Sequence, residues 1–215
     1  MGNAILYKDY GWKAPETCAH KYLCETLKKV LEKFNIERNK NILDAGCGGG
    51  YIINWLNESG YKNIWGFDLS LSGIEVAKKT NNDFGGRFAE HNAYEKSLPT
   101  DFPENNYDIV ISTEVIEHLY SPSTYMKNIN FWLKKGGYLI LTTPYHGYLK
   151  NLAIALMNKF DWHASVLDEG GDIKFFSKNT LYKLLGQSGF SPVQFYGSGR
   201  LPFLWKSMVV IAEKL

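Results

Sequence analysis

Two short stretches carry residue types that can do chemistry. The first is DAGCGGG, residues 44–50, where an acid and alternate glycines follow the apolar pair Ile42-Leu43. Gly46, Gly48 and Gly50 let the backbone turn with positive φ and come close to a ligand. Such turns usually cradle phosphate. The G-x-G-x-x-G fingerprint of dinucleotide sites is only half met, because Tyr51 stands where its last glycine would fall. The second stretch is TEVIEHL, residues 113–119, in which Glu114, Glu117 and His118 stand at i, i+3 and i+4. A helical turn there would gather two carboxylates and an imidazole on one face, a group able to act as general base or to hold a divalent ion.

Asp44 decides what the glycine loop wants. A carboxylate at a strand end repels a pyrophosphate by on the order of several kcal/mol in a poorly screened cleft. A cationic nucleotide reverses that sign, and S-adenosylmethionine, with an ammonium, a sulfonium and no phosphate, is one. Asp68 in GFDLS follows Gly46 by 22 residues, about the separation at which an acid meets ribose hydroxyls in nucleotide-binding βαβ units. Its alternative role is to cap the next helix.

These residues need a frame. Apolar positions at helical spacing predict an opening helix over residues 16–34, then helices over 51–59, 70–80, 121–133 and 177–186. Short apolar runs predict seven strands near 41–44, 63–68, 86–91, 107–113, 137–143, 191–196 and 206–213. The alternation implies an α/β fold with a doubly wound, seven-stranded, mostly parallel sheet. The last two strands are joined by a loop alone and so pair antiparallel, which gives the sheet an antiparallel edge strand. The glycine loop then lies beyond the carboxyl end of the first strand, where ligands of such sheets bind.

Length and composition narrow the field. The 215 residues fit one domain with a core that needs no disulfide. A formal net charge of +2, with lysine pairs scattered along the chain, argues against nucleic acid as the main partner. Cys18, Cys24 and Cys47 have no CxxC spacing and read as reduced packing thiols, and no signal-peptide or membrane-spanning run is present, so a cytoplasmic protein is expected. Oligomeric state is not legible.

The stretches ILDAGCGGG, GFDLS, HNAYEKSLP, YDIVISTEVIEHL and LKKGGYLILTTP, in this order and spacing, resemble the class I S-adenosylmethionine-dependent methyltransferases over roughly residues 38–215. The resemblance implies a Rossmann-like fold, S-adenosylmethionine as cofactor and S-adenosylhomocysteine as product. It implies that Asp44, Gly46, Cys47 and Gly48 line the methionine end and that Asp68 takes the ribose. Leu69 would pack on adenine, Asn92 and Ala93 would meet its edge, and Thr113 with Glu114 would close the floor; His91 is expected to be structural. The E-x-x-E-H run is similar to that of ubiquinone-biosynthesis O-methyltransferases and small-RNA 2′-O-methyltransferases, where it resembles a metal site. Glu114, Glu117 and His118 are accordingly the metal candidates. The other reading has no metal, with His118 as base or substrate contact beside Glu117, and His146 or His163 available to assist.

The domain expected is 1–215, with a helical cap over 1–37 and a substrate lid over 145–176. In the lid, Leu149, Leu152, Ala153, Leu156, Met157 and Phe160 form an apolar stripe expected to pack on the core, and the polar run Asp168 to Asp172 follows. Asp172 stands where the family often has histidine. Tyr7, Tyr10 and Trp12 are placed to fold over the cofactor or to fray. The activity expected is methyl transfer to a small molecule, most plausibly at a hydroxyl. RNA 2′-O-methylation, a nicotinamide-dependent oxidoreductase and a non-catalytic cofactor-binding protein are the alternatives.

Overall fold

The computed structural model describes residues 9, 11–15, 19–81, 87–164, 167 and 170–215. Tyr7, Tyr10, Cys18 and the Asp168–Glu169 part of the polar run lie outside the described residues, as do 16–18 at the expected helix start and residue 86 of the expected third strand.

The chain runs α1 (His20–Lys33), β1 (Ile42–Ala45), α2 (Tyr51–Glu58), β2 (Ile64–Asp68), α3 (Leu71–Thr80), β3 (Phe88–Glu90), β4 (Tyr107–Thr113), α4 (Pro122–Trp132), β5 (Leu133–Pro144), α5 (Tyr148–Leu156), α6 (Phe160–Ala164), α7 (Lys178–Gln187), β6 (Phe190–Ser198) and β7 (Ser207–Lys214). The strand order in the sheet is β3-β2-β1-β4-β5-β7-β6. β1 to β5 pair parallel, while β7 runs antiparallel to both of its neighbours. The expected α/β fold is therefore present, and the β6–β7 hairpin makes the antiparallel edge, with the reversed strand slotted between β5 and the outermost β6.

The strands are apolar along their length because helices cover both faces. Ile42 of β1 and Val209 and Ile211 of β7 pack with Leu23, Leu27 and Ile53 on one face. Leu43 and Val210, one residue along, pack with Met126, Trp132 and Leu181 on the other. Order reverses between β1 and β4, and the loops beyond their carboxyl ends form the crevice where the two chemical stretches meet.

Two segments depart from the pattern read off the sequence. β5 starts at Leu133, which pairs with Tyr107 across a bulge, so the strand continues straight out of α4. Residues 145–176, the expected lid, contain α5 and α6, and here the expected packing is reversed. Leu149, Leu152, Leu156, Met157 and Phe160 are exposed, whereas Lys150 is 7% exposed. The helix presents Lys150 to β7, where its ammonium donates to the Lys206 carbonyl at 3.3 Å, and the stripe is turned outward.

Candidate active site

The glycine-loop end of the crevice is built by β1, β2 and the loops behind them. Gly46 and Gly48 have φ of +86° and +49°. A Cβ on Gly46 would come within 2.3 Å of the Val115 side chain, so only glycine fits where the loop passes the segment after β4. Asp44 is fully buried in the centre of the sheet, and among the described residues neither carboxylate oxygen has a hydrogen-bond partner. Burial, helped by the nearby Asp68 carboxylate, pushes its pKa up to about 8. A buried acid with no donor is a group waiting for one.

Asp68 closes β2. It accepts from the Gly48 and Ser70 N–H groups, each at 2.8 Å, so it ties the glycine loop to the start of α3. Burial raises its pKa in spite of these bonds. The capping role falls to Ser70, whose hydroxyl accepts from Gly73 N–H at 3.1 Å. Leu69 is half-buried beside it. Cys47 is buried, and burial raises its thiol far above the ordinary range. Asn92 and Ala93 follow β3: Asn92 accepts from Tyr94 N–H, and the Ala93 carbonyl accepts from Asn128. His91 is buried edge-on to Phe67 at 5.1 Å, in keeping with a structural part.

The N-terminal segment reaches this end. Asp9 accepts from the Ser70 and Ser72 hydroxyls and from Ser72 N–H, and Trp12 N–H donates to Ser72 Oγ at 2.9 Å. The Trp12 ring lies against Gly48, Gly49 and Gly73, with its indole N–H buried and unpartnered.

The acceptor end lies beyond β4 and β5. The helical turn expected from Glu114 onward is shorter than the spacing suggests, because Glu114 has φ +54° and only Ile116–His118 form a 3-10 turn. Glu114 consequently points elsewhere. Its carboxylate accepts from Thr142 Oγ1 at 2.7 Å and from Ser207 Oγ at 3.0 Å, and burial raises its pKa to about 7. Thr113, just before it, is buried.

The group that does converge is Glu117, His118 and Asp172, with one ligand-capable atom from each within 4.8 Å of the others. Asp172 thus stands where Glu114 was expected. Ile173 and Lys174 both donate N–H to the Glu117 carbonyl at 2.9 Å, which draws Asp172 beside His118. His118 Nδ1 lies 3.1 Å from the Gly171 carbonyl and 3.8 Å from Asp172 Oδ1, and its Nε2 lies 4.0 Å from Glu117 Oε1. A carbonyl only accepts, so Nδ1 is the donor in this contact. Glu117 is 1% exposed with an unpartnered Oε2, and burial beside Glu114 raises its pKa well above the ordinary range.

His146 is outside this group. Its ring stands 5.5 Å from His163 and 5.1 Å from Phe175, and both histidines have a buried, unpartnered Nε2. Sequence reasoning missed Lys150 and the Thr142–Ser207 clasp on Glu114. The one available signal for Lys150 was that it is the lone charge in the segment YLKNLAIAL.

A glycine loop between two acids thus lies at the switch point of a doubly wound, Rossmann-like sheet, with an imidazole–carboxylate cluster beyond β4. The profile of the methyltransferase-domain family matches residues 17–194, and the chain belongs to that family. A ubiquinone biosynthesis O-methyltransferase of Cereibacter sphaeroides is 30% identical over 166 residues, which cover 76% of this chain and 65% of the relative. The chain thus spans just under two thirds of that relative's length. A phosphoethanolamine N-methyltransferase of Zea mays is 26% identical over 118 residues, 55% of this chain and 23% of the relative. The fold matches that of a magnesium protoporphyrin IX methyltransferase from Synechocystis with bound S-adenosylhomocysteine, at TM-score 0.68 and 18% identity over 90% of this chain and 82% of that one.

Proposed function

We propose that the protein is an S-adenosylmethionine-dependent methyltransferase that acts on a hydroxyl of a small molecule. The observation that carries the reading is Asp44, a fully buried carboxylate with no donor at the mouth of a glycine loop. That is a site short of a cation, and S-adenosylmethionine fits it. The bound cofactor supplies an electrophilic methyl on a sulfonium. Asp44, Gly46, Cys47 and Gly48 would hold its amino-acid end and Asp68 its ribose, with Leu69, Asn92 and Ala93 around the base and Thr113 and Glu114 beneath. Hydroxyl acceptors are favoured by the name of the 30%-identical relative and by His118, an imidazole held at Nδ1 by the Gly171 carbonyl and so placed to act as general base. Glu117 and Asp172 orient that imidazole, and His146 flanks the acceptor. Much of the rate comes from holding the reactants in line.

In this reading residues 1–215 work as one domain in the cytoplasm, with 1–37 as a cap and 145–176 as the acceptor lid. Among the described residues no helix is long and apolar enough to cross a membrane. Turnover over a panel of hydroxyl metabolites, followed as S-adenosylhomocysteine by mass spectrometry, tests the reading. Cofactor binding without any product would make the protein a non-catalytic binder.

A second reading is favoured by the converging group. Glu117, His118 and Asp172 offer a mixed carboxylate–imidazole set suited to a divalent ion, which would lower the acceptor hydroxyl's pKa. Metal analysis of protein purified without chelator, and activity before and after chelation, separates the two: no bound ion and no loss of activity leave His118 as a simple base.

A further inference from the structure

Lys150 is the most unusual buried group outside the converging cluster. Lysine is almost never fully buried without a partner, yet this one is 7% exposed and its ammonium makes a single long bond, to a backbone carbonyl. No carboxylate of the described residues forms an ion pair with it at 4.0 Å or less. The Lys206 carbonyl that takes its ammonium also accepts from Tyr145 N–H, one residue before His146, and Lys206 N–H donates to the Ser198 carbonyl, two residues before Arg200, so the segments carrying these side chains meet at Lys150, with the His163 ring 5.5 Å from that of His146. Arg200, on the loop between β6 and β7, is exposed and bears on the charge of Lys150. His146, just after β5, and His163, on α6, also feel the ammonium, and each has a buried Nε2 with no partner. Burial, then the neighbouring positive charges, lower the pKa of Lys150 and of both histidines, in line with the concentration of nitrogen-bearing side chains at this place. Glu114 and Asp172 also bear on Lys150 and favour its charge, so the cluster adjoins the acceptor end of the crevice.

We propose that Lys150 and Arg200, with His146 and His163 as hydrogen-bonding partners, form an acceptor subsite for an oxyanion, so that the methyl acceptor is a small hydroxyl compound bearing a carboxylate or phosphate. The proposal rests on the methyl-transfer reading and narrows its substrate class. The subsite acts on affinity: an anion between the ammonium and the guanidinium fixes the orientation of the acceptor, and the unpartnered Nε2 atoms gain partners.

The test uses the full chain with nitrogen-labelled histidine rings, titrated with benzoate, phenyl phosphate, protocatechuate and catechol. The expected result is that protocatechuate binds at least about tenfold tighter than catechol, or about 1.4 kcal/mol, and that the ring resonances of His146 and His163 shift. Benzoate against phenyl phosphate shows which oxyanion is preferred. Lys150→Met should bring protocatechuate and catechol to the same affinity, and the exposed Arg200→Gln, which leaves the core untouched, should narrow the gap. Equal affinities in the parent protein, no binding of any anion, or a preference that survives Lys150→Met would overturn the subsite. S-adenosylmethionine binding, measured on the same samples by calorimetry, is scored apart. Its presence without anion preference refutes the subsite alone, and its absence refutes the methyl-transfer reading.

Discussion

Asp172 Oδ1 lies 3.8 Å from His118 Nδ1 because the backbone following Asp172 is pinned to the Glu117 carbonyl by two N–H bonds. The lid and the segment after β4 are therefore one structural unit, and the imidazole is oriented from the lid side by Gly171 and Asp172 together. His118→Ala is expected to lower kcat by about 10²- to 10⁴-fold, the usual contribution of a general base, with little change in S-adenosylmethionine affinity. Steady-state kinetics beside calorimetric binding checks this. Equal losses in kcat and in cofactor affinity would mean that His118 only supports the fold of the crevice.

Asp44 gives a pH dependence with a definite sign. Its pKa rises on folding from 3.8 to about 8, so between those values the native state holds a proton that the unfolded chain has released. The contribution of Asp44 to the stability of the ligand-free protein is then fully present below about pH 4 and is lost as pH rises toward 8. Asp68, Glu114 and Glu117 are raised as well and add slopes of the same sign, so Asp44→Asn makes the fall shallower without abolishing it, while weakening S-adenosylmethionine binding by at least about tenfold. Thermal unfolding from pH 5 to pH 9, with and without cofactor, reads both effects; an unchanged slope in the variant would show that Asp44 is not the group responsible.

Gly48 tests the cradle. An alanine there must adopt φ near +49° and press on the Trp12 ring, which stands 2.6 Å from where its Cβ would be. The left-handed conformation costs roughly 1–2 kcal/mol, so Gly48→Ala should lower Tm by about 2–8 °C and weaken cofactor binding. Differential scanning fluorimetry and calorimetry suffice to measure the two.

Ser70 carries a smaller, local stability load. Its hydroxyl caps α3 by accepting from Gly73 N–H, and loss of such a cap costs about 1 kcal/mol. Ser70→Ala should lower Tm by roughly 2–4 °C, with the Asp68 contact to Gly48 left in place. A larger fall would indicate that Asp9, which Ser70 also bonds, holds the N-terminal segment more tightly than one hydrogen bond allows.

Much of this was legible in the sequence, for identifiable reasons. The strands carry unbroken apolar runs because both faces of the sheet are covered, and the helices carry their caps, as Ser70 and Ser177 do. Asp44 and Asp68 could be picked out because an acid beside a glycine loop is electrostatically wrong for phosphate. Lys150 was hidden. The rotation of α5 depends on the Lys206 carbonyl and the edge of β7, so its apolar stripe faces out while the periodicity suggests the opposite. Asp172 was equally hard to place, since its meeting with His118 is made by backbone bonds to Glu117. Glu114 misled because i, i+3, i+4 spacing gathers side chains only on a helix, and its positive φ breaks the register.

An acidic glycine loop, with Asp44 set against phosphate and Asp68 taking the ribose, is proposed to select a cationic nucleotide. Calorimetric titration of the protein with S-adenosylmethionine, S-adenosylhomocysteine and NAD, repeated on Asp68→Ala, tests it most directly. The account predicts one-to-one binding of the first two, no binding of NAD, and loss of affinity in the variant. Binding of NAD with no response to S-adenosylmethionine would contradict it.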